Sequence, residues 1–313
     1  MPADPILTLG DIDGWSRPGT ALAVVGFPIV HSLSPAMQNA ALASLAAEDR
    51  RFDGWRYFRF EIRPDELPAA LKLFHARGFQ GLNITIPHKM AAFALAESAD
   101  EAARAVGAVN TLARTPGGWR GFNTDGYGLA AAVRETLGCE LSGATVLVLG
   151  AGGAARSAAA ECLSRGCSAL WIANRTRANL DSLLAVIRPL AGRIPVRGLS
   201  PADLPHGLPA GSLVINATNA GLRPGDGAPV DLARLPRPAG VYDAVYNPPV
   251  TKLLRDAEAL GLPRANGTSM LVHQGAKALE IWTGAPAART APVMAAALQA
   301  AIASSVKARA RRS

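Results

Sequence analysis

Residues 145–149, Thr-Val-Leu-Val-Leu, run without a break into Gly150-Ala-Gly-Gly-Ala-Ala155, and an alanine-rich stretch follows. A continuous apolar run of this length reads as a strand buried on both faces, the condition of a strand inside a parallel sheet. The glycine string matches G-x-G-x-x-A. Gly150 permits the tight turn, Gly152 lets the backbone approach a pyrophosphate, and Ala155 keeps the following helix close to the strand. The helix start then offers amide donors and a positive dipole end to phosphate oxygens. A strand before and a helix after are the context this motif needs. Gly150, Ala151, Gly152, Gly153 and Ala154 are therefore the expected phosphate site of a dinucleotide.

The next strand selects between the two nicotinamide cofactors. It covers 169–173 and is followed by Asn174, Arg175, Thr176 and Arg177. Sites for NAD carry an acid there, roughly 20 residues past the glycines. This chain has none. A carboxylate repels a 2′-phosphate, whereas the Arg175 guanidinium can pair with it as a planar fork. NADP is thus favoured over NAD. Arginines that merely coat the surface would leave the missing acid unexplained.

Strand and helix signals alternate along the rest of the chain. Strands are expected at 21–25, 81–85, 109–113, 119–122, 212–216 and 240–243. The pair 109–113 and 119–122, joined through Gly117-Gly118, reads as a hairpin. Ser34-Pro35 opens a helix, with serine as N-cap and proline at the first helical position. A helix over 66–76 ends at Gly78, a left-handed C-cap. Asp100 and Glu101 sit in the first turn of another helix, where negative charge is favoured, and a further helix covers 126–136. Strands alternating with helices imply an α/β fold with parallel sheets and right-handed crossovers. With 313 residues the chain is long enough for two domains: one α/β domain to about residue 124, and a second after it. The helices from Ser269 on fit either.

Other features exclude some classes of function. No apolar run reaches the roughly 18 residues that would span a bilayer, and the first 13 residues lack a signal-peptide pattern. A soluble cytoplasmic protein is expected, with no membrane partner. The three cysteines, Cys139, Cys162 and Cys167, fit neither a disulfide framework nor a zinc site, so no metal is expected. The net charge is +8, and the tail Lys307-Ala-Arg-Ala-Arg-Arg-Ser313 supplies four of the positive charges. That tail reads as a solvated terminus rather than a nucleic-acid arm. The remaining positive balance suits an anionic cofactor and an anionic small-molecule substrate.

Four strings in the first domain end in small polar side chains where strands should hand over to loops. They are Gly26-Phe-Pro-Ile-Val-His-Ser-Leu-Ser-Pro35, Gly81-Leu-Asn-Ile-Thr-Ile-Pro-His-Lys89, Gly107-Ala-Val-Asn-Thr111 and Gly121-Phe-Asn-Thr-Asp-Gly126. Ser32, Ser34, Asn83, Thr85, Asn110 and Thr124 are neutral hydrogen-bonding residues suited to hydroxyls and a carboxylate. Lys89 and Asp125, if they converge, can hold each other charged and share a proton-transfer duty. Singly, each has a bland reading: Ser34 a cap, Asn110 a loop anchor, Lys89 a solvated helix start. His31 and His88 read as local hydrogen-bonders.

Taken in order, H-S-x-S-P, N-I-T-x-P-x-K, G-A-V-N-T, N-T-D-G, the Gly150 loop, Asn174-Arg-Thr176, Asn216-Ala-Thr218, Tyr242-Asp-Ala-Val-Tyr-Asn-Pro248 and Met270-Leu-Val-His-Gln-Gly275 make the chain similar to the shikimate dehydrogenase family over roughly residues 20 to 285. The resemblance implies a substrate-binding catalytic domain over 1–124 plus 267–313 and an NADP-binding Rossmann domain over 125–266. It implies NADP-dependent, reversible reduction of 3-dehydroshikimate to shikimate, a step of chorismate and aromatic amino acid biosynthesis. By the same resemblance Ser32 and Ser34 bind the substrate carboxylate. Asn83, Thr85, Asn110 and Gln274 bind its hydroxyls, with Thr124 beside them. Lys89 and Asp125 are the catalytic pair, and Tyr246 approaches substrate and nicotinamide. Thr218, Ala244, Gly267, Met270 and Leu271 line the cofactor. Gln38, Asn219 and Ala244 stand where many members have histidine, serine and methionine. Met37-Gln-Asn39 and the run 246–254 resemble the quinate/shikimate dehydrogenase branch, which uses NAD as well as NADP. A non-catalytic NADP-binding sensor is the reading from another class. A homodimer is left open.

Overall fold

The computed structural model describes residues 5–204, 208–223 and 225–310, with side chains described to residue 304. The basic stretch 307–313 thus lies outside the described side chains. The chain divides into two compact units, Met1–Thr124 with Val272–Ser313, and Asp125–Leu271.

In the first unit, β1 (Ala21–Gly26) lies between β2 (Arg56–Glu61) and β3 (Gly81–Ile84) and is parallel to both. All six β1 residues are buried, as expected of the apolar run Ala-Leu-Ala-Val-Val-Gly in a central strand. The short β4 (Ser98–Ala99), β5 (Thr111–Arg114) and β6 (Trp119–Phe122) complete a six-stranded sheet of order β2-β1-β3-β5-β6-β4. The hairpin β5–β6 is antiparallel and joins β3 in antiparallel register. The helices are α1 (Leu9–Asp13), α2 (Ser34–Glu48), α3 (Leu67–Ala76), α4 (Lys89–Leu95) and α5 (Glu101–Val106). Asp100 caps α5 by accepting from the Ala103 amide at 2.7 Å. One side of the sheet carries Phe60, Phe74 and Phe79, packed edge to face at 4.7–4.9 Å between successive ring centres.

Two sequence expectations need correction here. First, besides the short β4, β2 of this unit falls outside the strands expected from the sequence. Its string Arg-Tyr-Phe-Arg-Phe-Glu has charges inside and at both ends, which masks a half-buried strand. Second, Ser34 is not the N-cap of α2. The helix starts at Ser34 itself, and Leu33 stands at the cap position.

The residues before β1 have a clear structural use. Leu7 pairs with the outer strand β2, its amide donating to the Arg59 carbonyl at 3.0 Å and its carbonyl accepting from the Glu61 amide at 2.8 Å. Trp15 closes over Phe58 and Phe79, both at 4.8 Å. An exposed edge strand invites pairing with another chain, and this segment covers it.

In the second unit, α6 (Asp125–Leu137) leads to β7 (Thr145–Leu149), α7 (Gly153–Ser164), β8 (Ala169–Ala173), α8 (Arg177–Ile187) and β9 (Val196–Leu199). Then come β10 (Leu213–Asn216), β11 (Gly240–Asp243), α9 (Lys252–Ala259) and β12 (Arg264–Asn266). The sheet is all parallel, in the order β12-β11-β10-β7-β8-β9. This is the Rossmann strand order, and it reverses between β7 and β10. Cys162 and Cys167 are buried in this unit's core and Cys139 is half-buried, all three as free thiols.

The last two helices are α10 (Thr268–Thr283) and α11 (Ala287–Ala310). The unit boundary falls within α10, between Leu271 and Val272. Gly267, Met270 and Leu271 therefore belong to the second unit, whereas a boundary at 266/267 would have put them in the first. From Val272 on the chain returns to the first sheet. Trp282 Nε1 donates to the Leu112 carbonyl at 3.0 Å, and Gln38 Nε2 donates to the Gly275 carbonyl at 3.0 Å. Arg289 of α11 pairs with Glu48 of α2 at 2.5 Å. Among the described residues, no helix is long and apolar enough to cross a membrane.

Candidate active site

The polar strings of the first unit gather at the carboxyl ends of the parallel strands β1 and β3, where open α/β sheets bind ligands. Ser32 and Ser34 follow β1. Asn83 lies in β3, Thr85 just beyond it, and Lys89 opens α4. Backbone bonds tie these strings to one another. The Ile84 amide donates to the Asn110 carbonyl at 2.8 Å, the Asn110 amide to Phe122 O at 3.0 Å, and the Val109 amide to Lys89 O at 3.0 Å.

A side-chain network joins four of the expected residues. Asn110 Nδ2 donates to Thr124 Oγ1 at 2.9 Å and to Gln274 Oε1 at 3.3 Å, while its Oδ1 accepts from the Thr124 amide at 2.8 Å. Asn83 Nδ2 donates to the Asn110 carbonyl at 3.2 Å and to Thr111 Oγ1 at 3.1 Å. Asn83 Oδ1 accepts from the Tyr57 hydroxyl at 2.7 Å. Buried amides with this many partners are held rigidly. Ser32 Oγ accepts from the Ser34 amide at 3.4 Å, and Thr85 stands half-buried past the end of β3.

Strand β2 also shapes the serine loop. Buried Arg59 donates to the carbonyls of Val30 at 2.8 Å and Ser32 at 3.4 Å. Glu61 Oε2 accepts from the Ile29 amide at 3.0 Å. His88 is buried and donates from Nε2 to the Ile62 carbonyl at 2.8 Å. Burial lowers its pKa, so it is a neutral anchor for the turn that carries Lys89. His31 is exposed.

In the second unit the Gly150 loop sits at the switch point between β7 and β10. Gly150 adopts φ +116°, and a Cβ there would lie 3.0 Å from the Ala217 carbonyl oxygen. Over Gly152 the space is open, since a Cβ would meet nothing within 4 Å. No side chain caps α7. Open room above Gly152 and a helix start without a side-chain cap fit a phosphate group. Asn174 Nδ2 donates to the Thr176 carbonyl at 2.8 Å, closing the turn that presents the exposed Arg175. Arg177, by contrast, pairs with Asp181 at 2.9 Å on the surface of α8.

The far end of the same sheet edge is organised by two buried residues. Asp243 accepts from Asn216 Nδ2 at 2.9 Å, from the Val245 amide at 3.0 Å and from Thr251 Oγ1 at 2.6 Å. Burial raises the Asp243 carboxyl, and its three donors pull it back. Asn216 Oδ1 accepts from both the amide and the hydroxyl of Thr218. Gly267 lies directly against Ala244, since a Cβ there would fall 2.1 Å from the Ala244 carbonyl oxygen. The Met270 amide donates to the Tyr242 hydroxyl at 3.2 Å. Gly267 thus sits against Ala244 and Met270 is tied to Tyr242, with Leu271 one residue on. Burial raises the phenol pKa of Tyr246, which keeps it protonated. Lys89 and Asp125 belong to different units; Asp125 is buried in the first turn of α6.

The profile described as "Shikimate dehydrogenase substrate binding domain" matches residues 24–112, "Shikimate / quinate 5-dehydrogenase" matches 131–222, and "Shikimate 5'-dehydrogenase C-terminal domain" matches 267–299. A shikimate dehydrogenase (NADP(+)) of Geobacter sp. strain M21 is 43% identical over 269 residues, 84% of this chain and 89% of that protein. The chain belongs to the shikimate dehydrogenase family. Among solved members, the Thermus thermophilus enzyme in complex with NADP(H) and shikimate aligns at TM-score 0.76 and 34% identity, covering 89% of this chain and 100% of that one. The same fold also serves another substrate. A ligand-free 5-ketofructose reductase of a Gluconobacter strain aligns at TM-score 0.75 and 30% identity, over 89% of this chain and 99% of that one.

Beyond the family's expected residues, the structure adds Tyr57, Arg59, Thr111, Asn216 and Asp243 as supports. Tyr57 and Arg59 lie in a string, 56–61, whose mixed charges and aromatics give no clean alternation to reveal the strand. Asp243 stood inside a recognised string, and its burial on a central parallel strand marks it as a carboxyl that must be hydrogen-bonded.

Proposed function

We propose that this protein is an NADP-dependent oxidoreductase that interconverts 3-dehydroshikimate and shikimate. One observation carries this reading: a rigid network of neutral hydrogen-bonding side chains in one unit and a Rossmann phosphate loop with an arginine, not an acid, after its second strand in the other. NADPH supplies the hydride when bound. Gly150 to Ala154 would hold its pyrophosphate, Arg175 its 2′-phosphate, and Ala244, Gly267, Met270 and Leu271 its nicotinamide end. Ser32 and Ser34 bind the substrate carboxylate. Asn83, Thr85, Asn110 and Gln274 orient the ring hydroxyls, with Thr124 holding Asn110 in place. Lys89 gives its proton to the oxygen of the ketone as negative charge develops there, and its own charge stabilises that oxygen. Asp125 partners Lys89, and Tyr246 offers a neutral hydroxyl beside the reacting centre. The pathway is that of chorismate, and the cytoplasm is its proposed location. A homodimer is part of the proposal, checked by light scattering on the eluting protein.

Shikimate-dependent reduction of NADP+ by the purified protein assays this reading directly. In that assay Arg175→Ala should raise KM for NADP+ about tenfold or more, the worth of a charge-assisted bond, and leave KM for NAD+ unmoved. Equal KM values for NADP+ in wild type and variant would take the 2′-phosphate away from Arg175. Arg177→Ala should have a smaller effect, because Asp181 already holds that guanidinium.

A further inference from the structure

Tyr57 is fully buried in β2, and its backbone is clamped on both sides by Asn39. Asn39 Nδ2 donates to the Tyr57 carbonyl at 2.9 Å, and Asn39 Oδ1 accepts from the Tyr57 amide at 2.8 Å. The ring lies 6.3 Å from Trp282. Its hydroxyl donates to Asn83 Oδ1 at 2.7 Å. The phenol therefore touches a residue assigned to a substrate hydroxyl.

The hydrogen count then fixes what Asn83 can offer. Both Nδ2 hydrogens are used, on the Asn110 carbonyl at 3.2 Å and on Thr111 Oγ1 at 3.1 Å. Tyr57 occupies one lone pair of Oδ1. An amide has two donors and two acceptor sites, so what remains for a ligand is a single acceptor site on Oδ1. Desolvation pushes the Tyr57 phenol well above its ordinary range, so the phenol stays protonated and keeps donating.

Resting on the functional reading above, we infer that Tyr57 is a positioning residue of the substrate site: through its hydroxyl it sets Asn83 as an acceptor for a substrate hydroxyl. It acts through Asn83 and not on the reacting atoms. Its removal is therefore felt in substrate binding more than in turnover.

The test is Tyr57→Phe, which keeps the ring and removes the hydroxyl, made in the wild type and in an Asn83→Ala background. The KM and the calorimetric Kd for shikimate should both rise about tenfold in the first background, the effect of a lost buried hydrogen bond. In the second background the additional rise should be below about twofold, because contacting residues couple. kcat should stay within about threefold, and KM for NADP+ should not move. Equal shikimate Kd in Tyr57→Phe and wild type would overturn the inference, as would the same tenfold loss with Asn83 already absent. A wild type that neither binds nor oxidises shikimate would instead sink the functional reading itself. Should Tyr57→Phe fail to fold, Thr111→Val removes another of the three anchors of the same amide and must give the same binding signature; normal shikimate affinity in that variant would overturn the inference equally.

Discussion

Lys89→Ala is expected to lower kcat for shikimate oxidation by about a thousandfold, with KM for shikimate changing by less than about fivefold. General acid–base catalysis contributes typically 10²–10⁴, and the lysine also stabilises charge on the substrate oxygen, so the loss falls near the upper part of that range. Each decade is about 1.4 kcal/mol of transition-state stabilisation. The split between kcat and KM matters more than the size. An interaction made only in the transition state lowers kcat and kcat/KM together. Lys89 opens α4 on a turn held by His88 and by the Val109 amide, so the truncation leaves the surrounding backbone bonds intact. NADP+ affinity, measured by quenching of tryptophan fluorescence, should be unchanged, since the phosphate loop lies in the other unit. Near-normal turnover in the variant would remove Lys89 from the chemistry.

Gly150→Ala should weaken NADP+ binding about a hundredfold and leave shikimate binding alone. Gly150 holds φ +116°, a conformation that costs a residue with a Cβ about 1–3 kcal/mol. The new methyl would also stand 3.0 Å from the Ala217 carbonyl and 3.1 Å from Thr218 Cγ2. The loop must therefore move where β7 meets β10, and the amides at the start of α7 move with it. A hundredfold is about 2.7 kcal/mol, within reach of these two effects together. Calorimetric titration with NADP+ and, separately, with shikimate checks the result. An unchanged Kd for NADP+ would mean that the phosphates do not rest on this loop.

The Rossmann unit was the more legible part of the chain, and the reason is local. Its buried strands are continuous apolar runs, and its phosphate loop is contiguous in sequence, so strand, turn and helix are all written within residues 145–164. The first unit hides more. Strand β2 mixes Arg56, Arg59 and Glu61 with aromatic residues, because Arg59 and Glu61 are spent inside the molecule on the serine loop. Ser34 has the composition of a helix cap, yet the helix begins at Ser34 itself and Leu33 takes the cap position. The supports of the site are long-range pairs: Tyr57 with Asn83, 26 residues apart, and Asn216 with Asp243, 27 apart. No local pattern encodes such a partner. Individually, Asn83 or Asn110 could have been loop anchors; the ordered strings of the family resemblance singled them out, and the network in the structure shows Asn83, Asn110, Thr124 and Gln274 brought together.

The most direct measurement is a set of initial rates: oxidation of shikimate and of quinate, each with NADP+ and with NAD+, by the purified full-length protein. Shikimate with NADP+ should turn over fast, with kcat/KM at least about tenfold above its value with NAD+, as expected if Arg175 reads the 2′-phosphate, and above quinate with either cofactor. Comparable turnover of quinate or comparable use of NAD+ would contradict that specificity, and no turnover with any pairing would contradict the assigned reaction itself.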